Sequence, residues 1–154
     1  MLVAPVTTTG VTGAGAATTT ATALTGAGTA TITAGVGSLT ASNYDFTTFA
    51  TGNLTISKAN AIVTANSSSV TYTGVAQSAS GFTASGLVNG ETASVLSGVS
   101  ATGASGTNAG SYTSTASGTD SNYNLSFVNG ALTINKANAT VTAGSGSTTY
   151  NGAA

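Results

Sequence analysis

The sequence has no histidine, no cysteine and no arginine, and its only charged residues are two lysines and three acidic residues. Charged residues make up 3% of the 154 residues, whereas an ordinary soluble domain has roughly 25%. Without His or Cys, the usual ligand sets for zinc, copper and haem are excluded. Ser-His-Asp and Cys-His nucleophile systems are excluded for the same reason. We therefore expect a non-catalytic protein with no metal and no cofactor.

The low content of charged residues also limits the classes of partner that the chain can bind. Nucleic-acid binding needs clusters of Lys or Arg, and so does electrostatic docking to a membrane surface. No apolar run approaches the roughly 20 residues of a membrane-spanning helix. Residues 1–10 have neither the basic start nor the apolar stretch of a signal peptide, so any export signal is expected outside this sequence. The absence of cysteine is typical of an exported bacterial protein that stays unfolded before secretion.

The remaining composition favours β-structure with a thin core. Val, Ile, Leu and Phe together account for 28 of the 154 residues. So low a content would indicate disorder if the net charge were high, but the net charge is −1. Thr favours strands, while Gly and Asn favour turns, and these residue types fill many of the other positions.

The chain contains an internal repeat of about 78 residues. Residues 43–57 (NYDFTTFATGNLTIS) match residues 122–135 (NYNLSFVNGALTIN) with a one-residue deletion. The match continues without gaps from 58–76 into 136–154, where most positions are identical. A fainter match links AGTATIT (27–33) to AGSYTST (109–115). We predict the end of one repeat at 1–57, a complete repeat at 58–135 and the start of a third at 136–154.

Alternation of apolar and polar residues predicts about seven short strands in the complete repeat. Asn129-Gly130, between YNLSFV and ALTIN, predicts a hairpin because both residue types accept positive φ. A short helix near 91–96 is only weakly indicated. The predicted core comprises Val63, Val70, Tyr72, Phe82, Leu87, Leu96, Tyr112, Leu125, Phe127, Leu132 and Ile134.

This pattern predicts an all-β fold of tandem antiparallel β-sandwich-like repeats. The alternative is a β-solenoid, which would also suit a sequence rich in Thr, Gly and Asn. A solenoid predicts a period of roughly 20 residues. The repeat found in this sequence is several times longer, which favours the sandwich.

The repeat resembles the MBG-type repeats, and more loosely the YDG-type repeats, of large bacterial surface adhesins of the filamentous-haemagglutinin-like kind. The resemblance rests on Y-x-G, SGLVNGE, NAGSYT and SNYNLSFVNGALTINKA, and it covers residues 58–135 well. The YDG form has Asp where Thr73 stands here. In that family the matching residues are framework residues rather than catalytic ones. They are Tyr72, Gly74, Gly86, Gly90, Gly110, Tyr112, Asn122 and Tyr123; to these we add Gly130 from the predicted turn and Lys58 and Lys136 from the repeat junctions.

The few reactive side chains have ordinary interpretations. Asp45, Glu91 and Asp120 are interpreted as solvated loop residues, because nothing in the sequence brings two of them to one site. Lys58 and Lys136 are interpreted as exposed boundary residues. The alternative is a Lys–Asn isopeptide bond, which an intact mass lower by one ammonia would reveal. Recurrent Thr-x-Thr pairs are interpreted as ordinary strand residues, and the alternative is an ice-binding Thr ladder.

The sequence and the resemblance together predict a structural stalk or adhesion module at the bacterial cell surface. The expected partners are neighbouring repeats of the same chain. Like copies in a fibre, or a host or environmental glycan, are alternatives. We expect no nucleic-acid binding and no membrane insertion.

Overall fold

A computed structural model describes residues 10–152, which form fourteen β-strands and one short 3-10 helix. The earlier strands are β1 (Val11–Thr12), β2 (Ala16–Thr19), β3 (Gly28–Gly35), β4 (Thr40–Ala41) and β5 (Thr51–Ile56). The later strands are β6 (Ala59–Ala65), β7 (Ser68–Thr71), β8 (Gln77–Ala79), β9 (Phe82–Ser85), β10 (Val99–Thr102), β11 (Ala104–Gly106), β12 (Gly110–Gly118), β13 (Tyr123–Val128) and β14 (Gly130–Asn135). The helix, Ala93–Val95, lies where a short helix was weakly indicated. The all-β prediction is confirmed.

Residues 59–135 form two main sheets whose facing sides make the core. One sheet has the order β9-β6-β13, and the other has the order β7-β14-β12-β10. Strands β8 and β11 pair with each other beside the second sheet. These two strands were not predicted, because with three residues each they are too short to show alternation.

The two sheets are joined by a parallel ribbon of two long segments. Residues 59–71 run beside residues 123–135 at a constant offset, pairing Tyr123 with Ala59 in the first sheet and Leu132 with Ser68 in the second. Both segments cross between the sheets at the same level, at 66–67 and at 129. We call this pair the ribbon, and the level of its crossing the corner.

Two predictions are corrected by the ribbon. Asn129-Gly130 does not close a hairpin, because β13 and β14 lie in different sheets and each pairs with a neighbour from the start of the domain. The sheets are also mixed rather than purely antiparallel, since β6 with β13 and β7 with β14 are parallel pairs. The other pairings among residues 10–152 are antiparallel, which is inconsistent with a solenoid of stacked parallel coils.

The side chains that form the core are smaller than predicted. Val63, Leu96, Leu132 and Ile134 are buried as expected, while Phe82, Leu87, Leu125, Val70 and Tyr112 pack at its margin. Tyr72 and Phe127 are exposed, which corrects their assignment to the core. Much of the remaining interior consists of alanines that composition gave no reason to select: Ala61, Ala65, Ala79, Ala104 and Ala116. Small side chains let the sheets approach closely, so few bulky residues suffice.

The earlier part of the chain repeats part of this arrangement. The sheet β2-β3-β5 pairs Gly28 with Ile56, as β12 and β14 pair Gly110 with Ile134. The faint match between 27–33 and 109–115 therefore lies on corresponding strands. Residues 42–50 form no strand, whereas β13 forms over the matching residues of the later copy. The division into repeats at Ser57/Lys58 and Asn135/Lys136 remains a prediction.

Residues 136–152 also form no strand, and residues 153–154 lie outside the described part. In the complete domain, the matching strands β6 and β7 are held by β13 and β14. No strand of the described structure pairs with residues 136–152.

Candidate functional site

Several of the predicted framework residues lie at the two ends of the ribbon. At the first end, Tyr123 begins β13 and buries its ring beside Val63 and Leu96. Its hydroxyl donates a hydrogen bond to the Glu91 carboxylate and accepts one from the Val88 N–H at 3.0 Å. The hydrogen bond to Glu91 raises the pKa of Tyr123 above its ordinary value of 10.0, while the Val88 N–H acts in the opposite direction.

The turn before Tyr123 is held by Asp120. The Asp120 carboxylate accepts the backbone N–H groups of Asn122 and Tyr123 at 2.7 and 3.1 Å, a local side-chain turn typical of Asp. The Asp120 carbonyl accepts the Lys58 Nζ at 2.6 Å. Lys58 therefore fixes the segment between β5 and β6 to the start of β13.

Asn122 connects this end of the domain to the earlier part of the chain. Its side-chain oxygen accepts the Ala27 N–H at 2.9 Å. A Cβ added to Gly26 would lie 2.5 Å from the same oxygen, so a larger residue there would have to displace the Asn122 side chain. A shallow cleft of about 150 Å³ lies at this contact, lined by residues 23–27, Glu91, Asn122 and Tyr123 among others. We call this contact the entry junction.

The opposite end of the ribbon carries a second surface, which corresponds in sequence to the entry junction. The Tyr72 N–H donates to the Asn135 carbonyl at 2.8 Å and closes the ribbon. Beyond it, Tyr72, Ala109 and residues 136–139 line an open cleft. By the match of 27–33 to 109–115, Ala109 corresponds to Ala27 of the entry junction. We call this second surface the exit face.

The other framework residues have separate structural roles in the domain. Gly74, Gly86 and Gly90 have φ of 83°, 81° and 72°, so each adopts a left-handed conformation that favours glycine. Gly110 begins β12 opposite Ile134. Tyr112 donates its hydroxyl to the Asn108 carbonyl at 3.0 Å. Gly130 lies at the corner, where an added Cβ would come within 2.4 Å of the Ala65 and Asn66 carbonyl oxygens.

The entry junction brings two acidic residues to one site, which the sequence did not predict. Glu91 is an exposed loop residue, as expected, and Asp120 is a half-buried one; Glu91 binds the hydroxyl of Tyr123 and Asp120 its backbone N–H. Sequence reasoning missed this because the two acidic residues lie far apart along the chain. The spacing Asp120-x-Asn122-Tyr123 was the available signal, since Asp often accepts the N–H two residues later.

This arrangement contains few reactive side chains. Within residues 10–152, no group of three or more His, Cys, Asp or Glu side chains could hold a metal ion. Lys58 meets a backbone carbonyl rather than an Asn side chain, which differs from the geometry of the isopeptide alternative. No helix in the described part is long and apolar enough to cross a membrane.

The Thr-x-Thr pairs of β3 lie on a strand, as expected, whereas Thr20 and Thr22 lie between β2 and β3. Thr33 of β3 pairs with Thr18 on one side and Thr51 on the other, and Thr29 pairs with Thr55. These side chains share one exposed, uncharged face of the sheet β2-β3-β5. Their placement fits the interpretation as ordinary strand residues.

Comparison with known proteins gave one family match. Residues 61–133 match the family model of the MBG domain, YGX type. Neither the comparison with curated proteins nor that with solved structures found a significant match. The MBG domain is a repeat module of large surface proteins and typically non-catalytic, consistent with a structural role. Over residues 61–133, therefore, the chain is similar to the MBG domain, the family that its motifs resemble.

Proposed function

We propose that this chain is a stalk and adhesion module of an extracellular bacterial surface protein, in which domains follow one another end to end. The observation that best supports this proposal is the parallel ribbon. Because both segments run in the same direction, the domain is entered at Ala59 and left at Asn135, at opposite ends. Thirteen residues at about 3.3 Å each give a separation of up to roughly 40 Å.

The entry junction supports an extended arrangement. It joins the earlier part of the chain to the domain through Lys58 and through the Ala27–Asn122 hydrogen bond. A contact that fixes the start of the domain reduces bending between consecutive units. The absence of cysteine and the low charge agree with an exported, non-catalytic protein.

Small-angle scattering tests the stalk. A compact globule of 154 residues has a radius of gyration of about 15 Å. We expect a clearly larger value for the monomeric chain, measured at low concentration. A value close to that of the compact globule would show the two parts folded onto each other and would contradict the stalk.

The alternative is that the chain binds glycans directly. A glycan array distinguishes direct binding from a passive stalk. The stalk predicts no signal above background for the chain on such an array. Reproducible binding to one class of glycan, lost after heat denaturation of the chain, would favour the binding repeat instead.

A second candidate function is assembly into an extracellular filament. Uncharged strand edges favour pairing between chains, because charged side chains are the usual protection against it. Strand β5 is such an edge, with β3 as its neighbour on one side and no strand on the other among residues 10–152. Electron microscopy at increasing concentration distinguishes a filament from separate rods.

A further inference from the structure

The chain has three Asn-Gly dipeptides, at 89–90, 129–130 and 151–152. In water, the backbone nitrogen of the residue after an Asn can attack the amide carbon of the Asn side chain. Glycine hinders this attack least, because it has no Cβ and moves freely in φ and ψ. The dipeptide therefore has the same intrinsic reactivity at each position, and the fold decides how freely the backbone reaches the reactive geometry.

Asn89 and Gly90 form the exposed tip of a turn that runs from Val88 to Glu91. One backbone hydrogen bond closes this turn, from the Glu91 N–H to the Val88 carbonyl at 3.0 Å. Asn89 has a φ of 53° and is the one non-glycine residue with positive φ within residues 10–152, and Gly90 has a φ of 72°. A Cβ added to Gly90 would meet no atom within 4 Å. The tip can therefore open locally without moving a core side chain.

Asn129-Gly130 has the same composition but a fixed backbone. Gly130 is buried, and it begins β14 opposite Ser114 of β12. A Cβ added to Gly130 would lie 2.4 Å from the carbonyl oxygens of Ala65 and Asn66. The Gly130 nitrogen reaches the Asn129 side chain only if the strand and the corner open together. Such opening costs far more than the opening of a turn closed by one hydrogen bond.

We propose that Asn89 is a site of spontaneous deamidation, and that its product loosens the hold of the Val88–Glu91 turn on Tyr123. The Gly90 nitrogen loses its proton and forms a bond to Asn89 Cγ, while the bond from Cγ to the amide nitrogen breaks and ammonia leaves. Water then opens the resulting succinimide ring and returns a proton to the Gly90 nitrogen. Attack of water at Cγ gives aspartate. Attack at the backbone carbonyl carbon gives isoaspartate, in which the main chain runs through Cβ.

The turn holds the Tyr123 hydroxyl from both of its ends. The Val88 N–H donates to the hydroxyl at 3.0 Å, and the hydroxyl donates to the Glu91 carboxylate. Isoaspartate at position 89 inserts an additional backbone atom between these two contacts, so the present geometry cannot satisfy both. Either product also places a negative charge near Glu91, and repulsion between the carboxylates opposes the position of Glu91 at the hydroxyl.

The same turn borders the entry junction. Asn89, Glu91 and Tyr123 line its cleft together with residues 23–27. The modification therefore changes a surface against which the earlier part of the chain lies, and it does so with time after synthesis. Because water is the only co-reactant, the inference stands or fails independently of the stalk function.

Peptide mapping by mass spectrometry tests the choice of site. The folded chain is incubated in mildly alkaline buffer, and deamidation is quantified separately for the peptides that contain Asn89, Asn129 and Asn151, since the last Asn-Gly is also exposed. Asn89 is expected to react at least about tenfold faster than Asn129. In denaturant the two rates should become similar, because the difference arises from the fold. Equal rates in the folded chain, or an unreactive Asn89 where the denatured chain reacts, would overturn the proposal.

Melting temperatures test the consequence for the turn. The isoaspartate form of the parent, separated by chromatography, is expected to melt several degrees below the fresh protein. Asn89→Gly is the matched control, because glycine accepts positive φ and has no side-chain amide, and incubation should leave its melting temperature unchanged. Freshly purified Asn89→Asp carries the charge on an unaltered main chain and is expected to lie between the two.

The Tyr123→Phe background tests whether the loss passes through the hydroxyl. This variant already lacks the group that the turn holds, so isoaspartate at position 89 is expected to lower its melting temperature clearly less than in the parent. An equal loss in both backgrounds would show that the turn acts on stability elsewhere. An isoaspartate form that melts like the fresh parent would show that the turn does not hold Tyr123. Either result would overturn the proposed consequence.

Discussion

At the scale of single residues, the corner of the ribbon depends on one glycine. Gly130 is buried and faces the carbonyl oxygens of Ala65 and Asn66 where the first segment crosses between the sheets. Its counterpart in the earlier part of the chain is Gly52, where an added Cβ would meet only Ile32 at 3.8 Å. The same sequence position is therefore crowded in one copy and open in the other.

Gly130→Ala is expected to destabilise the domain by about 1–3 kcal/mol or more, because the added methyl group overlaps backbone atoms that cannot move independently. Chemical denaturation followed by circular dichroism measures the change. Gly52→Ala is the matched control and is expected to lie within about 0.5 kcal/mol of the parent. Equal effects of the two substitutions would contradict the account of the corner.

Because of Tyr123, the stability of the folded protein is expected to depend on pH in the alkaline range. Its folded-state pKa is raised, chiefly by the hydrogen bond to Glu91, so the folded protein retains this proton to higher pH than the unfolded chain. The corresponding stabilisation is fully present below pH 10.0 and is lost as the pH rises through the folded-state pKa. Denaturation between pH 8 and 11 should show this decline for the parent protein.

Tyr123→Phe retains the buried ring and removes the hydroxyl. The variant is expected to be less stable than the parent at neutral pH, because the Glu91 carboxylate and the Val88 N–H both lose a partner. The difference from the parent should narrow above pH 10, since the parent then loses the same contribution. A constant difference across the whole range would contradict the assigned role of the hydroxyl.

At the scale of elements, the ribbon determines how the domain responds to force. Tension between consecutive units pulls Ala59 and Asn135 in opposite directions along two parallel neighbours. Six residue pairs of β6–β13 and four of β7–β14 are then sheared together instead of being opened one at a time. The corner adds the hydrogen bond from the Ala131 N–H to Ser67 Oγ at 3.1 Å.

Single-molecule pulling in two directions tests this expectation. Handles at Ser57→Cys and Lys136→Cys shear the ribbon, whereas handles at Ser57→Cys and Ser121→Cys peel β6 from β13. At the same force, we expect unfolding at least about tenfold slower in the shearing direction. At about 3.6 Å per residue, the released chain lengths are roughly 280 and 230 Å before the folded distance is subtracted, which identifies each event. Equal rates in the two directions would contradict the role of the ribbon.

Sequence pattern predicted most of these strands but not their pairing. Alternation located β6, β7, β12, β13 and β14 because each exposes one face. It assigned β13 and β14 to a hairpin because Asn129-Gly130 has the composition of a tight turn. The actual partners of these strands lie at the other end of the repeat, and that pairing depends on how both segments fill the core, which no local pattern records.

At the scale of the whole molecule, the entry junction sets the relation between the earlier part of the chain and the domain. Its main direct contact across the two parts is the Ala27–Asn122 hydrogen bond, supported at the linker by Lys58. Because Asn122 is exposed, its side chain contributes little to the core of either part. The junction therefore controls orientation more than stability.

Asn122→Ala is expected to broaden the distribution of orientations while changing the free energy of unfolding by no more than about 1 kcal/mol. Spin labels at Thr31→Cys and Ser100→Cys, both exposed on strands, report the distance between the two parts. Ser121→Ala is the neighbouring control and is expected to leave the distance distribution unchanged. An unchanged width in Asn122→Ala would show that the orientation is fixed elsewhere.

The sequence by itself determined the β class, the absence of the usual catalytic side chains and the internal match between residues 43–76 and 122–154. These follow from composition, alternation and self-similarity, which are local or additive properties of a chain. Only the tertiary structure decided that the repeat closes through a parallel ribbon, that alanines fill much of its core, and that Asp120 and Glu91 hold Tyr123. Each of these depends on contacts between distant segments, whose free energy is set by packing and hydrogen bonding in three dimensions.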